Sequence, residues 1–143
     1  MIRFLDTSAL VKLYLEETGS QGLAERLQGK TLAVSHLTYG ETYATFARRL
    51  REDLLDLDEH QALCETFAEN WSGFLQVPFS DAVLANVPSL CQRYPLRGAD
   101  ALQLASALML RDEELDVFFV ASDRQLLTAA RGERLSTLDP ESL

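Results

Sequence analysis

IRFLDTSALVKLYLEE, residues 2 to 17, decides the fold. Ile2 to Leu5 is a short apolar run that stops at a carboxylate, Asp6, and Ser8 to Leu15 then repeats its apolar side chains, Leu10 and Leu13 among them, at helical spacing. The segment predicts a buried strand that passes directly into a helix. Outward from it the alternation continues. A helix is expected over Gln21 to Leu27, a turn at Gly29 and Lys30, and a second strand over Leu32 to Ser35. His36 to Arg51 carries Leu37, Tyr43, Ala44, Ala47 and Leu50 on one broad face, with Ser35 or its neighbour available to cap its exposed amides. Asp58 to Trp71 predicts another helix, ended by Ser72 and Gly73, and Phe74 to Phe79 a third strand. A helix starts at Ser80 or Asp81 and runs toward Tyr94, with a kink or break expected at Pro88 and a stop at Pro95. Ala99 to Leu110 is nearly all Ala, Leu and Met, the composition of a helix buried on most sides. Val117 to Ala121 is a strand, Gln125 to Arg131 a short helix, and Leu135 to Leu138 an edge strand.

Strands that alternate with helices over short connections indicate a three-layer α/β/α sandwich with a mostly parallel central sheet, because parallel neighbours need crossover helices. No linker or repeat divides residues 1–143, so a single domain is expected. A chain of this length buries about two-thirds of its unfolded surface, enough for a core without staples. Cys64 and Cys91 follow no CxxC or Cys/His pattern, which excludes a recognisable zinc site or disulfide framework, and both are read as buried thiols. Charge at Arg3, Asp6 and Lys12 comes too early for a secretory leader, and no apolar run is long enough to span a bilayer, so the expected location is the cytoplasm.

The 22 acidic and 13 basic side chains leave a formal charge of −9. A protein that held nucleic acid by charge alone would be basic, since phosphate neutralisation by Lys and Arg supplies most non-specific affinity. Much of the acid crowds Glu52, Asp53, Asp56, Asp58, Glu59, Glu65 and Glu69, just after Arg48, Arg49 and Arg51, as on a solvated helical surface. The balance leaves open a metal-mediated site or a basic partner chain.

In open sheets of this kind the functional crevice lies beyond the carboxyl ends of the strands. Asp6 ends the first strand, Asp123 lies just past another, and Glu41 and Asp100 occupy the opening turns of helices. Taken singly, each has an ordinary role: Asp6 and Asp123 as helix caps, Asp100 at the positive end of a helix dipole, Glu41 as a solvated side chain. Together in one crevice they repel, each pair at 4 Å by about 1 kcal/mol in water and about 4 kcal/mol at an effective dielectric near 20. A hard divalent cation is the usual compensation, and Mg²⁺ favours a few carboxylates together with waters and phosphate oxygens. The pattern points to metal-assisted phosphoryl chemistry.

LDTSALVKLYLEE, SHLTYGETYATFARR, RGADALQLASAL and VASDRQLLTAA resemble, in order and separation, the four acidic motifs of the PIN-domain family, and they span residues 5 to 131. The length is similar to that of single-domain ribonuclease toxins of the VapC type. The resemblance implies that Asp6, Glu41, Asp100 and Asp123 are the catalytic, metal-binding acids, with Thr7, Ser8 and Ser122 orienting the site. Where many relatives carry histidine after Asp-Ala-Leu this chain has Gln103, and Ser122 stands where many have threonine. Also implied are one or two Mg²⁺ or Mn²⁺ ions, hydrolysis of RNA phosphodiesters, a cognate antitoxin, and a homodimer. Lys12, Arg97 and Arg124 are candidates for contacts with RNA phosphates, or else stabilise carboxylates or point to solvent. The antitoxin would lay an apolar tail in a groove and a basic side chain in the acidic pocket. Tyr39, Tyr43 and Phe46, or the surroundings of Trp71, are either core or a surface for such contacts, while Phe4, Phe46, Phe67, Phe118 and Phe119 are read as core.

Three other functions compete. FLDTS resembles the nucleophile strand of haloacid dehalogenase phosphatases, but the second Asp of that motif is Ser8 here. A catalytically degenerate protein-binding module is the non-enzymatic alternative, and four retained acids argue against it. A housekeeping RNA-processing nuclease would share the chemistry and lack the antitoxin.

Overall fold

The computed structural model describes residues 1–143. Its elements are β1 (Ile2–Leu5), α1 (Thr7–Val11), α2 (Ser20–Leu27), β2 (Thr31–Ser35), α3 (His36–Arg51), α4 (Leu57–Trp71), β3 (Leu75–Val77), α5 (Asp81–Arg93), α6 (Gly98–Asp112), β4 (Val117–Val120), α7 (Arg124–Gly132) and β5 (Ser136–Leu138), then a 3₁₀ turn over Pro140–Ser142. The five strands lie in the order β3-β2-β1-β4-β5, and every pairing is parallel. No helix is long and apolar enough to cross a membrane.

Alternation along the central strands builds two cores, one on each face of the sheet. Phe4, Ala33 and Phe119 occupy one register row and pack with Val83, Leu90, Leu104 and Leu126 from α5, α6 and α7. The rings of Phe4 and Phe119 stack with centroids 5.7 Å apart. Leu5, Val34 and Val120, one residue further on, pack on the other face against Leu10, Leu23, Phe46 and Phe67 of α1 to α4. Strand order reverses about β1: β2 and β3 extend on one side, β4 and β5 on the other. The crevice of such a sheet opens at that reversal, outside the carboxyl ends of β1 and β4.

Several expectations need correction. The first helix stops at Val11 rather than Leu15, because the amides of Lys12 and Leu13 bond to Ala9 and Leu10, tightening the last turn. The third strand is only Leu75–Val77, since Pro78 has no amide to donate to a ladder. Of the kink or break expected at Pro88, the break does not occur and α5 continues through it. Pro88 and Leu84 are exposed, so the carbonyl that loses its partner faces water. Cys91 is exposed and Cys64 half-buried, so the pair are not buried thiols. Phe118 is half-buried beneath the Arg3 guanidinium, 5.1 Å from its ring centre, rather than in the core.

Candidate active site

Asp6 leaves β1 and caps α1. Its Oδ1 accepts the Ala9 amide at 2.9 Å, and both carboxyl oxygens accept from Ser8 Oγ at 2.8 and 2.9 Å. The expected helix cap and the expected site acid are thus one side chain. Burial pushes its carboxyl up to about 7, against the pull of the Ala9 amide and Ser8 hydroxyl, and the charges of Asp100 and Glu41 push the same way. Asp123 does the equivalent after β4, its Oδ1 accepting the Leu126 amide at 2.8 Å as the cap of α7. Ser122, beside it, has a buried hydroxyl with no partner.

Glu41 reaches the crevice from α3. Thr7 Oγ1 donates to its Oε1 at 2.6 Å and lies 2.9 Å from Thr38 Oγ1. Because the Thr7 proton goes to Glu41, Thr38 donates to Thr7. Gln103 Nε2 supplies both hydroxyls, at 3.0 Å to Thr38 and 3.2 Å to Thr7, while its buried Oε1 has no partner. This buried chain ties α1, α3 and α6 together behind Glu41. Sequence reasoning missed Thr38 as part of it, and the position of Thr38 one turn before Glu41 on α3 was the available signal. Asp100 sits in the first turn of α6, where its charge suits the helix dipole, and its Oδ2 accepts from Arg97 Nε at 3.2 Å.

All four acids line one cleft of about 780 Å³, together with Thr7, Ser8, Gln103 and Ser122. Four elements therefore deliver hard oxygen donors to one place, although no three acidic side chains close on a common point. Lys12, Arg48, Arg49 and Arg97 also line the cleft, as do Glu17 and Glu141. Of the roles open to Lys12, the structure shows the pairing with carboxylates: it is buried, donates to the Thr18 carbonyl at 2.8 Å, and lies 3.4 Å from Glu17 and 3.5 Å from Glu141. Arg124 is exposed but does not line the cleft. Arg97 keeps a solvent-exposed side chain at the rim while paired to Asp100.

Phe46 and Phe67 are fully buried, and Trp71, Tyr43 and Tyr39 pack outward from Phe67 in edge-on and tilted contacts. Tyr39, 44% exposed, is the part of this aromatic cluster that reaches the surface.

The profile of the PIN domain matches residues 3–132, and the chain belongs to the PIN-domain family. Among curated relatives, "Ribonuclease VapC45" of Mycobacterium tuberculosis is 34% identical over 128 residues, covering 89% of this chain and 88% of that protein. The fold recurs in a toxin-antitoxin complex from Klebsiella pneumoniae, with a TM-score of 0.70 and 18% identity over 96% of this chain and 97% of that one. It recurs again in FitAcB from Neisseria gonorrhoeae, with a TM-score of 0.71 and 17% identity over the full length of both chains.

Proposed function

We propose that this PIN-domain protein is a Mg²⁺- or Mn²⁺-dependent endoribonuclease and the toxin of a toxin-antitoxin pair. The observation that carries the proposal is the gathering of Asp6, Glu41, Asp100 and Asp123 from separate elements into one cleft, in a chain 34% identical to Ribonuclease VapC45. The donor chemistry suits a hard divalent cation: every donor is oxygen, and burial first, with the charges of Asp100 and Glu41 adding to it, disfavours the ionised form of Asp6 that a cation would stabilise.

Asp6 and Asp100 would hold the ion most directly. A bound ion would supply Lewis-acid chemistry there: polarisation of the phosphate, a lowered pKa for a water and neutralisation of the leaving oxygen. Glu41, with Oε1 fixed by Thr7, keeps Oε2 free to complete the shell or to take the proton of the attacking water. Asp123, with Oδ1 committed to its cap, keeps Oδ2 for either role. Ser8 and Thr7 hold the rotamers of Asp6 and Glu41, which is the positioning such chemistry needs.

An antitoxin fits the same surface. A second recess of about 580 Å³, lined by Leu13, Tyr14, Leu54, Leu55 and Leu63, shares Arg49 with the acidic cleft. An apolar segment in that recess could carry a basic side chain into the acids next door. Homodimerisation and a cytoplasmic location belong to the same proposal.

Purified protein incubated with total cellular RNA tests the activity. Cleavage in Mg²⁺ or Mn²⁺ that stops in EDTA is expected. Intact RNA under all three conditions, with no stabilisation by Mn²⁺, would move the assignment to a binding module.

A further inference from the structure

Four cations line the cleft with six carboxylates, and three of the four are already closed by an acid. Lys12 is held by Glu17 and Glu141, Arg49 by Glu17 at 2.5 Å, and Arg97 by Asp100 at 3.2 Å. Arg48 is different. It is exposed, and its guanidinium forms no ion pair and donates no hydrogen bond. It also lies on the face of α3 that carries Glu41, with Ala44 and Thr45 between them lining the same wall. Ala44 is small, and the Thr45 hydroxyl is turned back to the Glu41 carbonyl at 2.9 Å, so the wall between the acid and the arginine is low. Seven residues of helix separate the two by about 10 Å of rise, too far for both to meet one phosphate.

We propose that Arg48 binds a non-scissile phosphate of the substrate and sets the track of the strand along α3. The inference rests on the ribonuclease assignment and names which phosphate contact that substrate makes. A polyanion entering this cleft is repelled by most of its lining. Arg48 offers five donors in a planar fork with no carboxylate to displace first. Because α3 also carries Glu41, the contact fixes the distance between the held phosphate and the acids.

The test uses an RNA oligonucleotide that spans a cleavage site mapped with wild-type protein. Arg48→Ala should melt with the wild type, since the side chain is exposed and unpaired. Its kcat/KM should fall about tenfold or more, the fold-change expected for a lost charged hydrogen bond. The dependence of log kcat/KM on log salt should become shallower by about 0.7, the signature of one single-strand phosphate contact. Arg48→Lys should recover most of that slope, and Arg51→Ala, exposed on the same helix but outside the cleft, should leave it unchanged. A neutral methylphosphonate at the phosphate that meets Arg48 should slow the wild type and not Arg48→Ala. Active wild type with an Arg48→Ala variant of equal rate and equal salt slope would overturn the inference and leave the ribonuclease assignment standing. Wild type inactive on all RNA would overturn both.

Discussion

Replacing Asp6 with Asn should stabilise the metal-free protein at neutral pH, although the residue lines the acidic cleft. The folded carboxyl titrates near 7 against 3.8 for an unperturbed aspartate. The native state therefore binds more protons than the unfolded state between those values. Stability linked to Asp6 is fully present below about pH 4 and is lost as pH rises through 7. At about 1.36 kcal/mol per pH unit the ceiling on that loss is about 4 kcal/mol. The cleft admits water, which screens part of the penalty, so a gain of about 1–2 kcal/mol is expected at pH 8. Asn keeps an oxygen to cap the Ala9 amide and can donate to Ser8 Oγ, so no cap is lost. For a chain of this size that corresponds to a rise of about 3–8 °C in Tm. Thermal melts of both proteins in EDTA from pH 4.5 to 8 measure it, with the gap closing toward the acid end. An Asn variant less stable than wild type at pH 8, or a gap that does not change with pH, would refute the strained-carboxylate account.

Gln103→Leu removes the donor that serves Thr7 and Thr38 but also removes an unpartnered buried oxygen, so urea denaturation should show a net loss of about 1 kcal/mol. Unchanged stability would mean that the chain behind Glu41 carries no net energy. Gly19 has φ of +88° and a Cβ there would lie 2.3 Å from the Pro140 carbonyl oxygen. Gly19→Ala should cost about 1–3 kcal/mol and speed hydrogen exchange around Glu141, and identical melting and exchange would count against the packing of the C-terminal turn.

Much of this was legible in the sequence because strand, turn and helix signals here are local. Ile2–Leu5 and Val117–Val120 announce themselves as apolar runs, and each is followed by an aspartate that the sheet's topology must place at its carboxyl edge. The exact match of α3 to His36–Arg51 follows from a capping serine and a sustained apolar face. What escaped depends on partners distant in the chain. Nothing near Lys12 reveals that Glu141 will lie beside it, and nothing near Thr38 reveals Gln103, 65 positions away. At Pro88 the choice between kink and break depends on whether the freed carbonyl of Leu84 meets water, which is a property of the surface on which α5 lies and is not local in the sequence.

The clustered acids are proposed as a metal-dependent nuclease site. Its most direct test is cleavage of one defined RNA in Mn²⁺ by wild type, Asp6→Asn and Asp100→Asn, with the Mn²⁺-induced change in Tm recorded on the same samples. Cleavage and a rise in Tm are expected for the wild type, and loss of both in each variant while the fold remains intact. Full activity in the Asn variants, or cleavage by wild type that persists in EDTA, would contradict that assignment.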